Sequence, residues 1–138
     1  MNGLFEFGRK VLKEQPFSVL LGTELTSLEP GEVVLTLAVR EELKQQHGFV
    51  HGGVVSYLAD NALTYAGGSV LGNSVTSEFK INYVRPAVGE TLIARASALS
   101  SGRKQAVCEC KIFVVSEKGE VMVAVAQGTI SKVDIPDL

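Results

Sequence analysis

An acidic residue stands alone in the most apolar part of the sequence. Asp60 is the only formally charged residue in the 33 positions from 45 to 77. The segment VVSYLADNALTYA (54–66) is rich in alanine and free of proline and glycine, which predicts a helix buried on most faces. Because a carboxylate there is costly unless it is hydrogen-bonded or solvated, Asp60 is a candidate catalytic or binding residue. A structural carboxylate bonded to Asn61 or Thr64 is the alternative that the residues leave open.

Two glycines stand where that helix is predicted to begin. His51, Gly52 and Gly53 come directly before the apolar segment. Glycine lets a ligand approach the backbone closely, and the N–H groups of a helix's first turn have no partner inside the helix. Together with the helix dipole, these N–H groups form a site for an anion or a developing oxyanion. A glycine-rich loop that only turns the chain into the helix would leave the same pattern.

The two candidate sites cannot act on one small group within a single chain. Gly52 and Asp60 are eight residues apart, which corresponds to about 12 Å along a helix. A symmetric dimer with antiparallel central helices would bring Asp60 of one chain near Gly52 of the other. The sequence therefore predicts a shared site that forms twice, in a homodimer or in a larger assembly such as a homotetramer.

The elements that must position these residues follow from the pattern along the chain. Apolar residues at near-helical spacing before Pro16 predict a short amphipathic helix over about 3–14, and residues 17–28 are expected to form a strand. A turn at 29–31 contains proline and glycine, as a tight reversal requires. It leads to a half-buried strand at 33–39, where apolar residues alternate.

The central helix and four strands complete the expected fold. Gly52 and Gly53 open the helix, and Gly67 and Gly68 are predicted to close it as a C-cap. Short hairpin loops predict antiparallel pairing among the strands that follow, at 74–84, 91–100, 104–116 and 120–132. A sheet curved around the helix is the simplest way to bury both elements, so the fold class is α+β.

The composition describes one domain over residues 1–138. The chain is 46% hydrophobic and 20% charged, with 13 Lys+Arg against 15 Asp+Glu, which is typical of a single folded unit. Its net charge of -2 gives no general attraction to nucleic acid or anionic membranes, and no run of about 18 apolar residues predicts a membrane span. Cys108 and Cys110 are too close in sequence for an unstrained disulfide. They are predicted to be buried thiols in a cytoplasmic protein.

Other motifs are weaker candidates for chemistry. His47 and His51 are four residues apart, but Gly48 opposes a helix there and the H-E-x-x-H pattern is missing, so neither a metal nor a cofactor is expected. Ser69 lies in GGSVLG, which lacks the nucleophile-elbow spacing. The basic hairpin tip at 101–104 is expected to be solvated, with phosphate contact as the alternative.

Two segments of the chain carry a family resemblance. HGGVVSYLADNALTYA, followed by FKINYVRPAVGETLIARA, resembles the hotdog-fold acyl-CoA thioesterases of the phenylacetate-degradation (PaaI-like) type. The similarity extends over about 16–132, and its pattern is H-G-G, an Asp nine residues after the His, then R-P-x-x-G-x-x-L. The resemblance implies a curved antiparallel sheet around a long helix and hydrolysis of acyl-CoA to a carboxylate and CoA.

The resemblance also implies roles for individual residues. Asp60 matches the family's catalytic carboxylate, which acts as a general base toward water or as a nucleophile on the thioester. Gly52 matches the glycine whose N–H polarises the thioester carbonyl, and His51 is the flanking histidine. Gln45 stands where the family often has an asparagine that holds the attacking water or the carboxylate.

Further candidates concern the carboxylate's neighbours and the substrate. Thr76 or Ser77 falls where relatives place a hydroxyl near the carboxylate. The candidates for substrate binding are Gly53 at the helix start, Phe49 at the acyl group, and Arg85, Arg103 and Lys104 at the CoA phosphates. Three more apolar positions are further pocket candidates, although core packing is the commoner role for such residues: Leu63, Tyr65 and Val70.

Two other functions are compatible with the same scaffold. A non-catalytic acyl-CoA-binding module would need no working Asp60, and this chain has no basic segment for DNA that a regulator would carry. A hotdog hydratase or dehydratase is the other alternative, and the H-G-G arrangement disfavours it.

Overall fold

The computed structural model describes residues 3–134, which form helices at both the start and the centre of the chain and six strands. The helices are α1 (Gly3–Lys13), α2 (Pro16–Leu21) and α3 (Gly52–Leu71), with a short 3-10 turn at Glu41–Leu43. The strands are β1 (Glu24–Glu29), β2 (Glu32–Ala38), β3 (Ser74–Tyr83), β4 (Thr91–Ser101), β5 (Gln105–Ser116) and β6 (Gly119–Lys132). The amphipathic N-terminal helix and the four strands after the central helix are confirmed to within about a residue at each end.

The six strands form one antiparallel sheet in the order β1-β2-β4-β5-β6-β3. β4, β5 and β6 are consecutive hairpins, so Cys110 of β5 lies opposite Ala96 on one side and Ala126 on the other. Among the strands of residues 3–134, β3 pairs with β6 alone and is therefore an edge of this sheet. The expected antiparallel pairing of the hairpin strands is confirmed.

α3 packs against the sheet through one face that is wholly buried. It contacts β2, β3, β4, β5 and β6, and its alanines allow a close approach of the helix to the strands. The buried residues of this face are Val55, Leu58, Ala59, Ala62, Leu63, Ala66, Gly67 and Leu71. Burial of a leucine such as Leu58 contributes about 2 kcal/mol. A long helix packed on an antiparallel sheet is the α+β arrangement that the sequence pattern predicts and that the resemblance to hotdog-fold proteins implies.

The opposite face of α3 carries polar side chains that are only half-buried. Ser56, Tyr57, Asp60, Asn61 and Thr64 all lie on it. Their spacing of three and four residues places them side by side along the helix. The helix that looks apolar all round in the sequence therefore has a polar stripe, and Asp60 is at its centre.

The C-terminal end of α3 differs from the prediction. Gly67 and Gly68 do not cap the helix, which continues to Leu71. Gly67 is buried where the helix meets β6, so close that an added Cβ would lie 2.7 Å from the Cβ of Ile130. The glycine is required by this contact and not by a change in backbone conformation.

The predicted strand at 17–28 is wrong in its first half. Residues Pro16–Leu21 form α2, and only the later part belongs to β1. Pro16 occupies the first turn, where its missing N–H has no helical partner in any case. Gly22 ends the helix with φ 84°, in the left-handed region. A short apolar run fits a helix or a strand equally well by periodicity. Here Pro16 at the start and Gly22 at the end favour a helix.

Cys108 and Cys110 are free and buried, as predicted. They lie at alternate positions of β5 with Ile112, on the side that is fully buried. Burial raises the pKa of Cys110 to about 12, and it also raises the pKa of Cys108. Both thiols stay protonated near neutral pH and serve as small core side chains.

Within residues 3–134, no helix combines the length and apolar character that crossing a membrane would require.

Gly67→Ala is expected to destabilise the protein by about 1–3 kcal/mol, because the new methyl group overpacks the contact with Ile130. This loss opposes the gain of about 1 kcal/mol that alanine brings to a helix interior. The free energy of unfolding in urea measures the net effect. Gly68→Ala is the matched control, since its Cβ would meet only the rotatable Ser74 hydroxyl, at 3.0 Å. Equal destabilisation in both variants would contradict the role assigned to Gly67.

Candidate active site

Asp60 is held through one of its two carboxylate oxygens. Oδ1 accepts a hydrogen bond of 2.6 Å from the hydroxyl of Thr76 on β3. Oδ2 accepts no hydrogen bond within residues 3–134, and none of the ion pairs in this part of the chain involves Asp60. The carboxylate is therefore oriented, half-buried and open to water or to a substrate atom.

A second threonine completes the surroundings of the carboxylate. The Thr64 hydroxyl donates to the main-chain oxygen of Asp60 at 2.9 Å and lies 2.8 Å from the hydroxyl of Thr76. Of the two neighbouring hydroxyls considered from the sequence, the structure places Thr76 against the carboxylate. Ser77, the next residue on β3, pairs with Ser131 instead.

The structural alternative for Asp60 named two partners, and neither bonds to the carboxylate. Thr64 donates to the main chain, and the Nδ2 of Asn61 lies 3.2 Å from the hydroxyl of Tyr57. Within residues 3–134, the carboxylate's one hydrogen bond comes from Thr76 on β3, so the alternative of a carboxylate tied within its own helix does not hold.

The N–H groups at the start of α3 have unequal partners. His51 is the N-cap residue, and its Nδ1 accepts a 2.8 Å hydrogen bond from the Gly53 N–H. The Val54 N–H donates to the His51 carbonyl at 2.9 Å. The Gly52 N–H donates to no group in the part of the chain that the structure describes. The N–H of Gly52 is thus free to bind a ligand. The N–H of Gly53, a candidate for substrate binding, is already bonded to the capping side chain of His51.

Tyr83 is a residue of this region that sequence reasoning missed. Its hydroxyl donates to the Gly52 carbonyl at 3.0 Å, which ties the last residue of β3 to the start of α3. A Cβ on Gly52 would lie 3.5 Å from the Tyr83 ring, in ordinary contact. No spacing in the sequence signals this pair, because 31 positions separate the two residues.

A cavity of about 380 Å³ opens beside the start of α3. Gln45, Phe49 and Arg85 line it together with Gly52. Asp60 of the same chain does not line it. The lining residues are Gln45, Phe49, Val50, Gly52, Val55, Tyr83, Val84, Arg85, Pro86, Ala87 and Val123.

Gln45 has a free amide group beside this cavity. Its Oε1 accepts a hydrogen bond from the His47 N–H, and its main-chain N–H donates to the Phe49 carbonyl at 2.9 Å. Its Nε2 has no partner among residues 3–134. The structure therefore places a side-chain donor of Gln45 on the Gly52 side of the molecule and not beside Asp60 of the same chain.

The three predicted phosphate ligands do not meet. Arg85 lines the cavity and donates to the Met122 carbonyl at 2.9 Å. Arg103 and Lys104 lie on the β4–β5 hairpin, where they border a separate surface depression with Lys132.

The three less certain pocket residues all lie outside the cavity. Leu63 is fully buried in the core and Val70 is 41% exposed. Tyr65 donates its hydroxyl to the Gly8 carbonyl at 2.8 Å, and burial raises its pKa. Tyr65 therefore fastens α1 to α3.

The chemistry available to one chain is split between two places. The free Gly52 N–H at a helix N-terminus suits a developing negative charge on oxygen, and Asp60, about 12 Å further along the helix, suits proton transfer or nucleophilic attack. Within residues 3–134, no three His, Cys, Asp or Glu side chains cluster closely enough to hold a metal ion.

Comparison with known proteins points to one family. A match to the Thioesterase superfamily covers residues 47–121, more than half of the chain. The acyl-coenzyme A thioesterase PaaI of Escherichia coli is 32% identical over 99 residues, which are 71% of this chain and 71% of that protein. The 1,4-dihydroxy-2-naphthoyl-CoA hydrolase of Listeria monocytogenes is 32% identical over 101 residues, 71% of this chain and 82% of that protein.

A solved structure gives the same answer for the fold. The crystal structure of a thioesterase family protein from Silicibacter pomeroyi superimposes with a TM-score of 0.90 at 32% sequence identity. The superposition covers 94% of this chain and 97% of that one. The arrangement of α3 on the sheet is therefore shared across nearly the whole domain.

His51→Ala is expected to lower the stability of the protein by about 1 kcal/mol, because it leaves the Gly53 N–H without its cap. His51→Asn is the matched variant, since asparagine is a preferred N-cap residue and restores an acceptor. Urea unfolding of both variants measures the difference. Equal loss in the two variants would show that the ring's packing, and not the cap, is what stabilises the helix start.

Proposed function

The chain belongs to the thioesterase superfamily, and on that premise we propose that it is an acyl-CoA thioesterase whose site combines Gly52 of one subunit with Asp60 of the other. The observation that carries the proposal is the pair of unsatisfied groups on α3, the free Gly52 N–H and the free Oδ2 of Asp60. The names of the relatives from Escherichia coli and Listeria monocytogenes both specify CoA thioesters as substrates, which supports the acyl-CoA class. The two free thiols suit a reducing cytoplasm as the setting.

The sheet offers a way to join two subunits. β3 is ten residues long, and its outer edge pairs with no strand in the part of the chain described. A long unpaired edge favours pairing with another strand. Antiparallel pairing of β3 with its copy about a two-fold axis would also set the two α3 helices antiparallel. The Asp60 of each helix would then approach the start of the other, and two sites would form per homodimer, which a homotetramer would retain.

In the proposed reaction, one subunit stabilises the negative charge that develops on the thioester oxygen, and the other subunit supplies the carboxylate. The thioester oxygen accepts a hydrogen bond from the Gly52 N–H, which stabilises the oxyanion as the carbonyl carbon becomes tetrahedral. One such donor is worth about 3 kcal/mol in the transition state. The amide of Gln45 and the guanidinium of Arg85 border the same cavity and are proposed to help hold the substrate beside Phe49. His51 acts indirectly, because it caps the helix that carries Gly52.

The carboxylate of Asp60, oriented by Thr76, drives the attack. As a general base it takes a proton from water while the water oxygen bonds to the acyl carbon; the C–S bond then breaks and the CoA sulfur takes a proton. As a nucleophile it bonds to the acyl carbon, the C–S bond breaks, the CoA sulfur leaves and takes a proton, and water hydrolyses the resulting acyl–Asp60 anhydride in a second step. In single-turnover hydrolysis in ¹⁸O-water, label found in Asp60 would establish the nucleophilic path, because the general-base path places the water oxygen only in the released carboxylic acid.

The CoA phosphates are the remaining charged part of the substrate. Arg103 and Lys104 are separate from the Gly52 cavity in one chain, and we propose that they meet the phosphates from the β4–β5 hairpin of the assembled protein. They carry no part of the chemical step.

Asp60→Asn is expected to lower kcat for acyl-CoA hydrolysis by a factor of about 10²–10⁴, because the amide is a poor base and nucleophile. The fold should persist, since the new side-chain oxygen still accepts the Thr76 hydroxyl. Release of CoA followed with a thiol reagent measures activity, and urea unfolding checks stability. Near-normal turnover would contradict the catalytic role of Asp60. Substrate binding without CoA release in the wild type would favour the acyl-CoA-binding module or the hydratase instead of the thioesterase.

Gly52→Pro tests the oxyanion donor without removing a side chain. Proline is well accepted at the first helical position, and His51, with φ -59° and ψ 135°, already has the extended conformation that precedes proline. Loss of the N–H is expected to lower kcat by a factor of about 10²–10³. Gly52→Ala keeps the N–H and is the steric control, so its kcat should stay close to the wild-type value.

The same two variants test whether the site is shared. Gly52→Pro and Asp60→Asn chains refolded together in equal amounts should recover about a quarter of wild-type activity, because half of the dimers are mixed and each mixed dimer has one intact site. No recovery, with mixed dimers demonstrated by a size tag, would place both residues in one chain's site.

A further inference from the structure

We propose that α2 forms a wall of the acyl-binding site and that Phe17 determines which acyl groups are accepted. The inference rests on the proposed thioesterase function and extends it to the class of acyl group. In this proposal, α2 presents a rigid apolar surface next to Asp60, and the acyl portion of the substrate packs against that surface.

Buried hydroxyl groups hold α2 against the central helix. The Tyr57 hydroxyl lies 2.6 Å from the Ser18 hydroxyl and 2.8 Å from the Thr23 hydroxyl. The Nδ2 of Asn61 approaches the same Tyr57 oxygen at 3.2 Å, and Ser18 also donates to the side-chain oxygen of Gln15 at 2.6 Å. Ser18 and Thr23 are the buried polar side chains of residues 3–134, with 1% and 9% exposure. The network joins both ends of α2 to α3 at Tyr57 and Asn61.

The C-terminus of α2 is held a second time. The guanidinium of Arg40 donates to the carbonyls of Leu20 and Leu21 at 2.7 Å each. The Gly22 N–H donates to the Ser18 carbonyl at 2.9 Å. A helix of six residues has little stability of its own, so these contacts are what give α2 a fixed position.

This fixed helix turns its large apolar side chains outward. Phe17, Val19 and Leu20 are 56%, 59% and 66% exposed. The Phe17 ring stands edge-on to the Tyr57 ring, with centroids 5.1 Å apart. α2, PFSVLL, contains no charged residue, so its outer surface matches an apolar group.

The position of this surface identifies its occupant. Tyr57 is three residues before Asp60, so the two side chains are neighbours on the half-buried face of α3, and Asn61 is half-buried on the same face. β3 contacts that face through Thr76, on the Asp60 side, and α2 contacts it through Tyr57 and Asn61. An acyl group whose carbonyl lies at Asp60 is therefore next to Phe17. The surface favours an aromatic or medium-chain acyl group over acetyl.

Phe17→Ala, assayed in the full chain with acetyl-, hexanoyl- and phenylacetyl-CoA, tests the proposal. The expected result is an increase of about tenfold in KM for hexanoyl- and phenylacetyl-CoA, while kcat/KM for acetyl-CoA stays within about twofold of wild type. Phe7→Ala is the matched control, because Phe7 is 62% exposed on α1 and takes no part in the Tyr57 network. Comparison of the two larger acyl groups shows whether the wall prefers the aromatic or the aliphatic one.

Three results would contradict the proposal that α2 forms a wall of the acyl-binding site. One is a Phe17→Ala profile equal to that of Phe7→Ala, and another is an equal loss for all three acyl groups. The third is dissociation of the oligomer by Phe17→Ala in size-exclusion chromatography, which would assign this surface to a second copy of the chain.

Failure of the proposed function itself gives a different result. Wild-type protein would then hydrolyse none of the three thioesters. Calorimetry with S-hexyl-CoA, a thioether that cannot be hydrolysed, tests the wall in that case as well. If S-hexyl-CoA binds Phe17→Ala about tenfold more weakly than it binds the wild type and Phe7→Ala, the result would support the proposed role of α2. Equal binding to all three proteins would contradict it.

Discussion

Close packing of α3 against the sheet is the contact on which the positions of Asp60 and Gly52 depend. Ala59, Ala62 and Ala66 are fully buried, and Gly67 admits Ile130 at a distance that no side chain would allow. Because interiors are packed as densely as crystals, a helix held in this way cannot rotate or slide without opening voids. Its other face is thereby presented at a fixed angle to the remaining elements.

That other face explains how an apolar helix holds a carboxylate. Asp60 lies outside the core and has no cation partner among residues 3–134, so the cost of burying a charge is met by partial exposure and by the Thr76 hydroxyl. β3 supplies this bond on one side, while α2 meets Tyr57 and Asn61 on the other. The polar stripe of α3 is thus bordered by two elements that differ in character, one an unpaired strand edge and the other an apolar helix surface.

Much of the fold was predictable because its signals are local. Alternating apolar residues and glycine-containing loops predict β4 to β6. The one charge in a long apolar stretch marks Asp60 as a candidate site residue. The error at 17–28 has a local origin as well, because a short apolar run has no period that separates a helix from a strand. The misplaced end of α3 is different: Gly67 looks like a helix terminus, and only its neighbour Ile130, 63 positions later, explains the glycine.

By itself, the sequence determined the kinds of group that the site contains, a carboxylate on a helix and a glycine at that helix's start, and their separation of eight residues. The tertiary structure alone decided which of their atoms are occupied. It gave the Gly53 N–H to His51 and left that of Gly52 free, selected Thr76 over Ser77 as the partner of Asp60, and brought Tyr83 to Gly52. The physical reason is that hydrogen bonds are directional and short, so their partners depend on how distant segments pack, which no local pattern records.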